Sequence, residues 1–267
     1  MNDRASSLTE RLGVRTLAFL GFAGELSLFG FRALGQGLRP PFELREILRQ
    51  IGEIGYRSLP LIAAAGLAVG AVMSMHTRAS LERFGAESMI PAGLAVALVR
   101  ETGPLVCALL ISGRVGAAIG AELAAMRVSE QIDALEALAV DSFKYLAVTR
   151  IVACMIAMPL LTTVMNFTGM FGGFLAETVL TRMSLRLYLQ RSFSLIEFPD
   201  YVSATLKTVV FGFIIGTISS FLGYYASGGS AGVGRASTRS VVLSSIVLIL
   251  VNVLLVRAIQ FLFPGFR

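Results

Sequence analysis

MIPAGLAVALVRETGPLVCALLIS, residues 89–112, is long and apolar enough to cross a hydrocarbon layer, yet Arg100 and Glu101 sit side by side at its centre. A bilayer core needs about 20 apolar residues in helical form, so this run reads as a membrane span. Ionised groups at membrane depth are expensive and usually face protein or a water-filled cavity, where they mark a route for cargo. The pair points to a conduit rather than an anchor.

Outward from this run, three more qualify as spans, 151–176, 201–225 and 241–263, and a shorter fifth covers 59–76. Of 267 residues, 55% are hydrophobic and only 15% charged, which excludes an ordinary soluble domain. The fold class expected is an all-α integral membrane protein with about five transmembrane helices. A net charge of +6 and a pI near 9.8 invite a nucleic-acid reading. No basic stripe is interleaved with exposed aromatics, so no nucleic-acid partner is expected; Lys and Arg instead flank helices on the cytoplasmic side.

Residues 1–58 differ in character from 59–267, the transmembrane domain. Leu8, Leu12, Phe19, Phe22, Leu26 and Phe29 recur at helical spacing, with Arg11, Arg15, Glu25 and Arg32 among them. The apolar part is short and charged, so an N-terminal interfacial amphipathic helix is favoured over a sixth span. Pro40-Pro41 ends it. Leu44, Ile47, Leu48, Ile51 and Ile54 form a second stripe, with Arg49–Glu53 and Glu53–Arg57 as i,i+4 charge pairs, and it runs into the first span.

The basic residues of the 113–150 and 226–240 connections place these and the N-terminus in the cytoplasm. The segment 181–200 also carries Arg182, Arg186 and Arg191 and reads as a short amphipathic helix on the outer surface. No compact signal-peptide layout is present, which fits a bacterial inner-membrane protein. Gly66–Gly70, Gly116–Gly120 and Gly212–Gly216 have the spacing that lets helices approach closely in lipid.

No catalytic constellation is found. His76 is the sole histidine, and Cys107 and Cys154 fall inside apolar runs, so no metal site is expected. Gly228 to Arg235 is glycine-rich but lacks the Gly-Lys-Ser/Thr ending of a phosphate loop. This chain binds no cofactor on that reading; if transport is energised by ATP, a partner must bring it.

Arg100 and Glu101 point about 100° apart on a helix, so they do not simply neutralise each other. Pro104 frees a carbonyl one turn earlier and favours a kink. The pair either ties helices together or lines a cavity. Lys207, Glu177 and Asn252 are further polar groups in or near spans; Lys207 can snorkel and Glu177 lies near a helix end. Further on, Ser129 is a candidate N-cap for a short acidic helix with Glu130 and Asp133 in its first turn. Its apolar edge, Ile132, Leu135 and Leu138, calls for a partner.

The ordered motifs Arg100-Glu101-Thr102-Gly103-Pro104, Gly113-Arg114-Val115-Gly116, Ala121-Glu122-Leu123 and Met126 through Glu136 closely resemble the MlaE (YrbE) permeases. So does Gly232 through Val242. The resemblance extends from about residue 60 to the last span, and residues 1–58 match only in character. It implies a homodimeric permease subunit of an ABC system that moves phospholipids or related lipids, with five spans and an N-terminal interfacial helix. It also implies that Glu130, Gln131, Ile132, Asp133, Leu135, Glu136 and Leu138 form a cytoplasmic coupling helix on an ABC-type (MlaF-like) ATPase. ATP and Mg would be bound by that ATPase. A periplasmic MCE-domain (MlaD-like) protein and a STAS-domain (MlaB-like) protein are the further partners implied. The positions matching Arg100, Glu101 and Lys207 lie near the family's lipid cavity. Asn252 departs from the pattern, since the family often has an acidic residue there.

Two other classes compete with this reading. A stand-alone secondary transporter or channel explains the embedded charges without partners, but usually needs more ionisable residues and paired repeats, which are not evident. A membrane scaffold predicts that Arg100 and Glu101 can be replaced by apolar residues without loss.

Overall fold

The computed structural model describes residues 2–262, and every regular element among them is helical. In chain order these are α1 (Asn2–Gly37), α2 (Leu44–Leu81), α3 (Ile90–Ala97), α4 (Gly103–Ile111), α5 (Ala117–Val128), α6 (Gln131–Ala137), α7 (Thr149–Thr181), α8 (Leu185–Ser192), α9 (Phe198–Tyr224) and α10 (Gly229–Leu262). Wider π-type turns at Leu98–Thr102 and Ser112–Gly116 join α3, α4 and α5 into one arm, and another at Phe143–Val148 leads into α7. The connection carrying α6 lies at one end of the bundle, and α8 lies at the other.

Helix α2 shows how the sequence builds the interior. Its buried residues are Glu46, Gln50, Ile54, Ser58, Ile62, Gly66, Gly70 and Ser74, one every fourth position. Such a row packs as a single ridge against α7. The inward residues are mostly small or polar, because lipid rewards close backbone approach rather than bulky apolar burial. A Cβ on Gly70 would overlap the carbonyl of Gly169 on α7. The other two glycine pairs also serve contacts within the chain, Gly116 and Gly120 against Ser219 and Ser240, Gly212 and Gly216 against Cys154 and Ile151.

Two stretches read as connections are largely helical. Residues 113–128 continue the arm, because Gly116 and Gly120 let α9 and α10 press against it. Residues 229–240 begin α10, after a turn in which Gly228 and Gly229 adopt φ of 90° and 62°, values that favour glycine. α2 is unbroken across residues 58 and 59, in agreement with the stripe at 44–54 running into the first span. The amphipathic segment near 185–193 is α8, anchored by the fully buried Tyr188.

Six helices among the described residues are long and apolar enough to cross a membrane, one more than the five expected, and the extra one is Thr16–Gly37 of α1. Its contacts indicate how it runs. Phe22 meets Phe221, Phe29 meets Phe143, Phe221 and Tyr224, and Gly37 faces Val148 and Val152. From Phe22 to Gly37 a helix advances about 22 Å, yet all these partners lie in the half of the bundle nearest α6. α1 packs on the second half of α9, where Gly30 also meets Phe213 and Thr217, and on the first turns of the α7 arm. The stripe members Leu8 and Leu12, with Arg11 and Arg15, lie outside the described side chains, and Phe263 lies outside the described residues.

Candidate functional site

Near the α8 end, the turn Leu98–Thr102 faces the first turns of α9. Arg100 Nε lies 2.7 Å from Asp200 Oδ1, and Lys207 Nζ lies 2.9 Å from both carboxylate oxygens of Glu101. Asp200 and Lys207 are seven residues apart, two turns along one face of α9. Consecutive charges on the arm thus meet opposite charges stacked along the neighbouring helix. Their 100° divergence is accommodated because each finds its own partner.

Local sequence explains the register. Pro104 lacks the amide that would normally bond the carbonyl of Arg100, and Lys207 Nζ donates to that carbonyl at 3.1 Å. Asp200 accepts from the Glu197 amide through Oδ2, closing a capping box at the start of α9, while Oδ1 serves Arg100. The kink expected from Pro104 takes the form of the π-type turn just before it.

Arg100, Glu101 and Lys207 together line a cavity of about 320 Å³, with Ser203, Val256, Ile259 and Gln260. Lys207 is only 2% exposed, so it does not snorkel; its Glu101 partner is 47% exposed and opens onto the cavity. Asn252 lies one turn from Val256 and does not line it. The wall is mixed: Arg100 and the Lys207–Glu101 ion pair on one side, Val256 and Ile259 with Gln260 of α10 on the other. Such a site suits an amphipathic guest with a polar head and an apolar body.

Other buried charges are paired as well. Glu177, near the end of α7 as its position in the sequence indicated, is fully buried and accepts from Ser74 Oγ at 2.9 Å and from Arg78 at 2.5 Å. Arg150, 2% exposed, bonds Glu122 at 2.7 Å. Asp200 was missed in the sequence; its spacing of seven from Lys207 was the available signal. No cluster of metal-ligating residues occurs among the described residues.

At the opposite end, α6 places Gln131, Asp133, Glu136 and Leu138 at the surface. Ser129 is not its N-cap. Its hydroxyl turns back to the Ala125 carbonyl at 2.8 Å and closes α5, while Glu130 takes the cap position with φ 59°. The apolar edge is mostly satisfied internally: Ile132 is wholly buried and Leu135 packs on the core, which leaves Leu138 exposed. Asp133 pairs with Arg127 at 2.6 Å. Glu136 accepts from Ser142 Oγ at 2.6 Å and from Tyr224 OH at 3.2 Å. The Ser142 bond, then the Tyr224 bond, hold its carboxyl below the ordinary value.

A family model described as "Permease MlaE" matches residues 47–258. A probable ABC transporter permease protein of Rickettsia felis is 41% identical over 249 residues, covering 93% of this chain and 96% of the relative. A probable ABC transporter permease protein of Synechocystis is 34% identical over 208 residues, covering 78% and 79%. The intermembrane phospholipid transport system permease protein MlaE of Haemophilus influenzae is 33% identical over 244 residues, covering 89% and 92%. A multi-pass helical bundle with a charge-lined cavity and these relatives leads to one conclusion: the chain belongs to the MlaE permease family, as the membrane-spanning permease subunit of an ABC system.

Proposed function

We propose that this permease moves phospholipids or related lipids between the inner and outer membranes of a bacterium, working as a homodimer in the inner membrane. The observation that carries the reading is the cavity whose ion-paired wall faces apolar α10 residues. A phosphate-bearing head group finds Arg100 and Lys207 there, and acyl chains find Val256 and Ile259.

The end bearing α6 and the N-terminus are assigned to the cytoplasm, and the cavity opens toward the outer side. A partner ATPase binds ATP with Mg and docks on α6 through Glu130, Gln131, Asp133, Glu136 and Leu138, with Ile132 and Leu135 holding the helix in place. An MCE-domain protein receives or delivers lipid on the outer side, and a STAS-domain protein attends the ATPase. ATP binding then biases the helices between two arrangements that differ in access to the cavity.

The test is lipid transfer by the assembled complex in proteoliposomes. Glu101→Ala is expected to slow transfer at the cavity, and Asp133→Lys with Glu136→Lys to uncouple ATP hydrolysis from it. Wild-type transfer by both variants would remove the assigned roles.

A further inference from the structure

A cavity of about 700 Å³ lies at the other end of the molecule from the charge-lined one. Its walls come from α1, the start of the α7 arm, the last turn of α9 and the first turns of α10. Three guanidinium groups reach it, Arg32, Arg235 and Arg239, against one carboxylate, Glu25. None of the three forms an ion pair among the described residues. Arg32 lies over the Phe143 ring at 4.4 Å, and Arg235 donates to the Ser227 carbonyl at 3.2 Å. Exposed arginines alone are ordinary at a membrane surface. Three converging on one aromatic-floored cavity outnumber its single carboxylate, Glu25; Glu136 and Asp141 line an adjoining pocket that Arg32 alone of the three shares.

A second observation gives the missing half of the ligand. An apolar cleft of about 230 Å³ lies between α1, α9 and α10 and is lined by Leu26, Gly30, Phe213, Ile214, Ile218 and Val247, among others. Val247 is eight residues beyond Arg239, about 12 Å deeper along α10. On α9, the cleft residues 213–218 likewise lie deeper than the cavity residues 221–225. A cationic cavity therefore stands directly above an apolar slot, and α1 lines both.

We infer that this composite site binds an anionic phospholipid from the membrane leaflet at the α6 end, with its phosphate on Arg32, Arg235 and Arg239 and one acyl chain in the cleft beneath. The guest matches in charge, in polarity order and in depth. An acidic segment of a partner protein satisfies the arginines but leaves the apolar slot unexplained. The site shares no lining residue with the Arg100–Lys207 cavity.

The chain has no tryptophan, so Phe213→Trp places a single fluorophore in the cleft. The full-length protein in nanodiscs is titrated with phosphatidylglycerol or phosphatidylcholine bearing brominated acyl chains, which quench only on contact. The expected result is a preference of about tenfold for phosphatidylglycerol, the scale of one charge-assisted contact. Arg32→Gln with Arg239→Gln is expected to abolish that preference, and Arg186→Gln at the α8 end to leave it intact. Millimolar inorganic phosphate is expected to leave the quenching unchanged; its reversal of quenching would mean a free-anion site and overturn the proposal. Equal quenching by both lipids, or a preference that survives the double substitution, would also overturn it. So would loss of ATPase co-purification in the arginine variants with the lipid preference unaltered, since the cations would then serve a protein.

Discussion

Lys207 donates to the main-chain carbonyl of Arg100, the group that Pro104 deprives of its usual helical amide. A proline and a lysine 103 positions apart are thus joined through one oxygen. The ammonium has three protons, and Glu101 takes up the remaining donors.

The two partners of this ion pair are unequally exposed, so their removal has unequal cost. Glu101→Ala strands a buried ammonium and is expected to cost about 3 kcal/mol. Lys207→Met leaves a carboxylate that the cavity can hydrate but also unpairs the Arg100 carbonyl, at about 2 kcal/mol in all. Thermal unfolding in mild detergent measures both; an equal or reversed order would refute the burial argument.

Asp200 holds two tasks on its two oxygens. Asp200→Asn keeps an acceptor for the Glu197 amide but loses the charge opposite Arg100, whereas Asp200→Ala loses both. The alanine variant should therefore be less stable by about 1 kcal/mol, the worth of a cap. Both variants should alter lipid transfer to a similar degree. Equal stability of the two would show that the capping box contributes nothing.

Glycine substitutions in α2 should diverge in sign. Gly70→Ala drives a methyl into the backbone of α7, where neither side can give way, and is expected to cost about 2 kcal/mol or more. A methyl at Gly52 meets nothing within 4 Å, so Gly52→Ala should stabilise by roughly 0.5–1 kcal/mol. The same unfolding assay decides, and destabilisation by Gly52→Ala would count against the packing shown for α2.

Acid should loosen the α6 connection. The Glu136 carboxyl titrates below its ordinary 4.5 because Ser142 and Tyr224 donate to its charged form. Its contribution is complete above 4.5 and is lost as the pH falls through the lower folded value. Glu136→Gln should flatten that acid limb in hydrogen exchange of residues 129–142. An unchanged limb would mean that another carboxyl sets it.

How far the site was legible depended on what each residue's meaning required. Arg100 and Glu101 stood out because charge inside an apolar run is visible in one dimension. Asp200 did not, because it sits at a helix start where an acid has an ordinary capping role, and its partner is a hundred positions away. Lys207 was read as free to snorkel, since the sequence cannot show that Glu101 and a proline-freed carbonyl await it. The helices of 113–128 and 229–240 were read as connections because glycine and arginine mark loops in water. In lipid, the same glycines serve close packing, and the hydropathy rule misleads. The edge of α6 was found correctly by period, but only the fold could show that Ile132 was already covered.

α9 is a single unbroken helix from Phe198 to Tyr224. Tyr224, at one end, touches Glu136 of α6, and Lys207 holds Glu101 toward the other, about 26 Å away along the axis. A rod pivoting by about 5° at its Tyr224 end displaces Lys207 by roughly 2 Å, on that length. Hydrogen bonds do not survive such a displacement. A small tilt imposed at the surface thus has the leverage to unlatch the charges that wall the cavity, with no change in the helix that transmits it.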